Sequence, residues 1–123
     1  MDWPSDFSGP ALDPATLERL DRLSPGGSFV AQLARRFLAD ADTHLCALRT
    51  ALAEGDIALL SFSAHTLTGS SASVGAAELC RLCSLLSTPQ APTDWSRVAS
   101  VLAAMDLELE RARAAFDAWV SGR

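Results

Sequence analysis

Residues 57–75 read IALLSFSAHTLTGSSASVG. Ile57, Leu60, Ala64, Leu67, Ser71 and Val74 recur in alternating steps of three and four, the interval at which an α-helix returns to one face. The stretch is therefore read as a helix with one buried side. Gly55 ahead of it can end the preceding helix in a left-handed turn, and Asp56 can cap the new one. Gly75 is expected to end or kink it. The longest uncharged run, Ile57 to Ala77, is long enough to cross a bilayer. It contains Ser61, Ser63, His65, Thr66, Thr68, Ser70, Ser71 and Ser73, however, and desolvating that many polar groups excludes a membrane span.

Working outward, a second long periodic segment precedes this helix. It begins near Ser28 and places Val30, Leu33, Phe37, Ala41, Leu45, Leu48 and Leu52 on one face. The join at Gly55-Asp56 is tight, so the two helices should pack antiparallel as a hairpin. Upstream, Asp13-Pro14 gives a cap and a first-turn proline, opening a short helix to about Leu23 that Ser24-Pro25-Gly26-Gly27 breaks. Downstream, a short helix over about Ala76–Ser87 buries Leu79, Leu82 or Cys83, and Leu86. A loop with Pro89 and Pro92 follows. A last helix from about Thr93 to Trp119 carries Trp95, Val98, Leu102, Met105, Leu109, Ala112, Phe116 and Trp119. No segment alternates as a strand does, and no internal repeat is visible. The expected fold is all-α: an antiparallel four-helix bundle with a short additional N-terminal helix. Residues 1–11, rich in Pro, Gly, Ser and Asp, are expected to be a flexible lead-in, and 12–121 one domain.

Composition narrows the function. The 123 residues are 49% hydrophobic and 20% charged, with net charge −5, so the chain lacks the basic balance of a nucleic-acid binder or of a protein held on an anionic membrane. All ten basic residues are Arg. The acidic, proline-broken start Met1-Asp2-Trp3-Pro4 is not a secretory signal. Three cysteines, Cys46, Cys80 and Cys83, cannot all pair within the chain, which fits a reducing compartment. A cytoplasmic location is expected.

At about 100° per residue, His65 points roughly 130° away from the centre of the apolar stripe. The ring therefore faces water or a partner. Angle alone leaves an idle surface histidine and a functional one both open. The neighbours favour the second. Ser61 lies one turn before His65, Thr68 and Gly69 one turn after, and Ala72 and Ser73 one turn further, with Phe62 at the rim. An idle solvent face would carry Glu, Lys or Arg, yet nothing charged occurs between Asp56 and Glu78. Gly69 costs the helix about 1 kcal/mol relative to Ala, which suggests that another surface comes close. A neutral imidazole, with a pKa near 6.5, offers a nitrogen lone pair that can attack phosphorus and later leave. There is no glycine-rich phosphate loop and no kinase nucleotide motif, so the metal and the electrostatic stabilisation would come from a partner.

Residues 64–76, AHTLTGSSASVGA, resemble the signature of the histidine-containing phosphotransfer (HPt) domain family, commonly AHxLKGSSxxxGA. Leu12-Asp13 to Leu23, Ser28-Phe29-Val30, Ala51 to Asp56 and Leu79 to Leu86 fall at family-like spacings, and the resemblance spans roughly 12–118. It implies that His65 is the phosphorylated residue, through Nε2, and that Gly69 gives room to an incoming receiver domain. Ser61, Phe62, Thr68, Gly69, Ala72 and Ser73 would line the phosphate and partner surface. The partners implied are the receiver domain of a hybrid sensor histidine kinase or a response regulator, with Mg²⁺ on the receiver and no cofactor or metal on this chain. A monomer without ATP-dependent kinase activity is expected. One position departs from the pattern: where the family usually has Lys three residues after the histidine, this chain has Thr68. Altered relay rates or phosphohistidine lifetime are expected, with Arg49 or Arg81 as candidates to compensate. The departure also keeps open an adaptor that binds through the same face without phosphotransfer.

Other groups read as structural. Cys80 and Cys83 form a CxxC pair expected to fill the core, since zinc would need further ligands. His44, near Asp40 and Asp42, is read as solvated, and Glu108, Glu110, Arg111 and Arg113 as a salt-laced solvated face. Trp95 and Trp119 are placed in the core or at the bundle ends.

Overall fold

The computed structural model describes residues 9–24, 28–89 and 91–122. Five helices follow in order: α1 Pro14–Asp21, α2 Ser28–Glu54, α3 Ile57–Ser73, α4 Ala77–Ser87 and α5 Trp95–Ser121, with no strand among the described residues. Three helix starts have a side-chain cause and two turns a glycine cause. The Asp13 carboxylate caps α1, accepting from the Ala15 N–H at 3.2 Å and the Thr16 hydroxyl at 2.8 Å. Asp56 caps α3 by accepting from Leu59 N–H at 3.0 Å, and Asp94 caps α5 through Arg97 N–H at 3.1 Å. The last helix thus starts two residues later than Thr93, immediately after Asp94, whose side chain satisfies a free amide.

Gly55 (φ 65°) and Gly75 (φ 78°) are left-handed, and the next residue's amide reaches back over the turn: Asp56 N–H to Ala51 O at 2.9 Å, Ala76 N–H to Ser71 O at 2.9 Å. Gly75 is doubly required. A Cβ there would lie 2.9 Å from Thr16 Cβ on α1, and its carbonyl accepts from Asp13 N–H at 2.8 Å. The start of α1 is thereby tied to the α3–α4 turn.

α3 packs on α2 and α4, α5 packs on the same two, and α1 leans on α2. The enclosed core is built on Leu48, Leu60, Leu67, Leu79, Leu82, Leu86, Met105 and Phe116, with the Phe37 and Phe116 rings tilted at 6.1 Å between centroids. The buried stripes differ from the sequence reading in detail. On α2, Ala34 and Ala51 are buried while Leu33 and Leu52 are half-buried. Strict three-four alternation drifts from the 3.6-residue turn, and the small alanines allow the closest helix approach while leucines flank it. Ile57, expected inward, is 45% exposed because it sits in the first turn of α3. Trp95 and Trp119 are half-buried against the core. Glu108 is buried rather than solvated: Arg111, one turn on, binds both carboxylate oxygens at 2.9 and 2.8 Å and donates as well to the Gly9 carbonyl. Of the expected lead-in, residues 1–8 lie outside the described residues, and Gly9 is held by that contact. Among the described residues no helix is long and apolar enough to cross a membrane.

Candidate phosphoryl-acceptor site

The core needs only one face of α3. Leu60, Ser63, Ala64, Leu67 and Ser71 turn inward, which forces His65 and its one-turn neighbours outward. His65, Thr66, Gly69, Ala72 and Ser73 are exposed, and Phe62 is 66% exposed one turn before the histidine. The ring therefore stands on an uncharged ridge of small residues, with an aromatic at one rim.

Gly69 is the most informative of these positions. It lies inside α3 with no left-handed backbone, and a Cβ built on it would meet nothing within 4 Å. Neither backbone conformation nor packing within the chain calls for glycine here. The helix nevertheless carries a residue about 1 kcal/mol worse than alanine. The space is on the outside, one turn from His65.

The hydroxyls on this face are directed to main-chain carbonyls. Thr66 donates to Phe62 O at 3.0 Å, Thr68 to Ala64 O at 2.8 Å and Ser73 to Gly69 O at 3.1 Å. Ser70 reaches Thr66 O and Leu67 O at 3.4 and 3.3 Å. Polar side chains that satisfy themselves leave a surface that is cheap to strip of water. Ser61 does different work. It is half-buried and donates to Ser87 O at 2.6 Å, fastening α3 to the end of α4 beside the site. Thr68 is half-buried, so of the positions expected to line the surface only Ser61 and Thr68 are not fully exposed.

The two arginines named as replacements for the missing lysine are engaged elsewhere. Arg81 holds the buried Glu78 with two bonds at 2.8 and 2.7 Å, and Arg49 is paired with Asp106 on α5. Cys83 is buried and Cys80 half-buried, in keeping with core filling. His44 is half-buried rather than solvated, since its α2 position is partly covered. No group of three metal-ligating side chains occurs among the described residues. Two recesses flank the far half of the α3 ridge. One, of about 180 Å³, lies between Arg36, Phe37 and Asp40 on α2 and Ser70 and Ser73 on α3. The other, of about 310 Å³, is bounded by Thr16, Ala72, Gly75 and Cys80. Periodicity alone could not locate either, because each is made by two elements meeting.

An exposed histidine on a helix with an unneeded glycine four residues on is the arrangement that a family comparison can test. The Hpt domain model matches residues 32–115. The chain belongs to the Hpt domain family. This Hpt domain is similar in structure to the histidine-containing phosphotransfer protein B from Pseudomonas aeruginosa PAO1, with a TM-score of 0.82, 26% identity, and coverage of 94% of this chain and 99% of that one. It is also similar to a rice protein described as a histidine-containing phosphotransfer protein, with a TM-score of 0.77, 26% identity, and coverage of 92% and 83%. Among curated proteins none matches the sequence significantly. The Hpt domain is thus a histidine phosphotransfer module of a phosphorelay, from a family of phosphoryl carriers.

Proposed function

We infer that His65 is the phosphoacceptor, taking a phosphoryl group from one receiver-domain aspartate and delivering it to another. The observation that carries this is the exposed imidazole beside Gly69, a glycine that only an outside surface explains. In the forward step the Nε2 lone pair attacks phosphorus while the aspartyl oxygen leaves with the P–O bonding pair. In the return step an aspartate oxygen attacks and the ring departs with the P–N pair. Mg²⁺ belongs to the receiver, whose electrostatics stabilise the transferring group. Phe62, Gly69, Ala72 and Ser73 form the surface on which that receiver sits.

The domain works as a cytoplasmic monomer over residues 12–121, without ATP-dependent kinase chemistry of its own. Its helices are arranged as an antiparallel four-helix bundle, α2 to α5, with α1 against one end. The closed cycle of packing among α2, α3, α4 and α5 and the tight turn at Gly55 support that topology. Its donor is the receiver domain of a hybrid sensor kinase and its acceptor a response regulator.

Thr68 favours keeping a second reading in view, an adaptor that binds the receiver through the same face without transfer. Wild type and His65→Gln, each incubated with a receiver domain charged by acetyl phosphate in Mg²⁺, separate the two. The relay gives acid-labile label on wild type only. Binding by both proteins with label on neither establishes the adaptor.

A further inference from the structure

Thr68 stands where the family pattern has its cation, and the structure shows what that hydroxyl does instead. Its proton is directed to Ala64 O at 2.8 Å, a bond within the helix that donation to a phosphoryl group on His65 would have to break. The same holds for Thr66, Ser70 and Ser73, each donating to a carbonyl of its own helix, and for Ser61, which donates to Ser87 O. No charged residue lies on α3.

The arginines on the two helices packed against α3 do not supply the missing charge. Arg81 on α4 is clamped by Glu78. On α2, Arg49 is paired with Asp106 on α5, and Arg35 lines a recess on the α5 side with Phe116 and Asp117. Arg36 borders the recess beside Ser70 and Ser73. Ser70 lies five residues from His65, about 7.5 Å of helix rise and roughly 140° around the helix from the ring, and Ser73 lies two turns away, roughly 12 Å of rise. α1 meets α3 at its Gly75 end, about 15 Å of rise from the ring.

A phosphoryl group near pH 7 carries between one and two negative charges and gains most from charge-assisted donors. Resting on the phosphotransfer reading above, we propose that this domain holds its phosphohistidine without a counter-charge of its own. The transfer equilibrium is thereby tilted from His65 toward the receiver aspartate, relative to the same site with a cation at position 68. The chain is built to pass the group on rather than to store it. The chemistry balances as in the return step: the P–N bond breaks with its electrons on Nε2, the P–O bond forms to the aspartate, and a ring that had lost its Nδ1 proton recovers it from water.

Two substitutions test this, with wild type, Thr68→Val and Thr68→Lys each brought to equilibrium with a receiver domain charged by acetyl phosphate in Mg²⁺, after the excess acetyl phosphate is removed. Thr68→Val removes the hydroxyl but keeps the shape, and its ratio of phosphohistidine to aspartyl phosphate is expected to stay within about twofold of wild type. Thr68→Lys is expected to raise the ratio roughly five- to tenfold and to lengthen the life of the isolated phosphohistidine. A ratio unmoved by lysine, or one that falls more than about threefold with valine, overturns the proposal, the second by showing that the hydroxyl reaches the phosphoryl group. Acid-labile phosphate on none of the three proteins overturns the phosphotransfer reading itself.

Discussion

Gly69 and His65 act as a pair, one supplying the nucleophile and the other the clearance for a partner to reach it. Because Gly69 sits in an ordinary helical conformation with open space outside, Gly69→Ala should stabilise the fold by about 0.5–1 kcal/mol, raising the melting temperature by a few degrees. The same substitution should slow phosphotransfer from a charged receiver, and Gly69→Gln should abolish it while leaving the fold intact. Loss of stability in Gly69→Ala would mean that the glycine serves the helix and not a visitor. At this scale the sequence was most legible. The angular position of His65 follows from helix geometry alone, and its exposure agrees with it. Less legible were the destinations of hydroxyls and guanidiniums. No spacing rule says that Ser61 fastens to the Ser87 carbonyl, or that Arg49 is taken by Asp106 on α5.

The elements are set by caps and turns that local chemistry makes readable, and by packing that it does not. Asp13, Asp56 and Asp94 each cap a helix, and Asp56→Ala should cost about 1 kcal/mol, seen as a lower urea midpoint with an unchanged slope. Gly75→Ala should cost more, about 1–3 kcal/mol, because it combines a left-handed backbone with a clash against Thr16. If that variant is as stable as wild type, α1 is not seated on the turn as described. That Gly75 ends or kinks α3 was visible in the sequence, but the packing of α1 over it depends on a contact between residues far apart in the chain. The burial of Glu108 has the same origin in part. A glutamate in a run of charges reads as solvated; its pairing with Arg111 is local to α5, and the long-range part is the Gly9 carbonyl that accepts from Arg111. The half-buried leucines of α2 shifted for a related reason: which of two adjacent stripe positions goes inward is settled by the neighbouring helix.

Across the whole molecule, the composition offers an unusually direct probe of core integrity. The chain has neither Lys nor Tyr, so no ammonium or phenol side chain contributes to its alkaline titration. Burial, with a smaller contribution from nearby Cys80, pushes the Cys83 thiol up to about 12. The unfolded chain loses that proton from about pH 9 and the folded one keeps it, so unfolding releases a proton and stability falls as pH rises from about 9 toward 12. The slope for this one group approaches about 1.4 kcal/mol per pH unit. Urea midpoints at pH 8, 9 and 10 should decline in wild type and flatten in Cys83→Ala, whereas equal slopes in the two proteins would place the thiol in water. The core so measured holds α3 still while its outer face does the chemistry. The most direct test of that chemistry is to treat the protein with phosphoramidate and locate the modification by tandem mass spectrometry. One acid-labile phosphoryl group on the His65 imidazole, absent from His65→Gln, is the expected result. An acid-stable phosphate on serine or threonine, a label on His44, or no label at all would contradict the account.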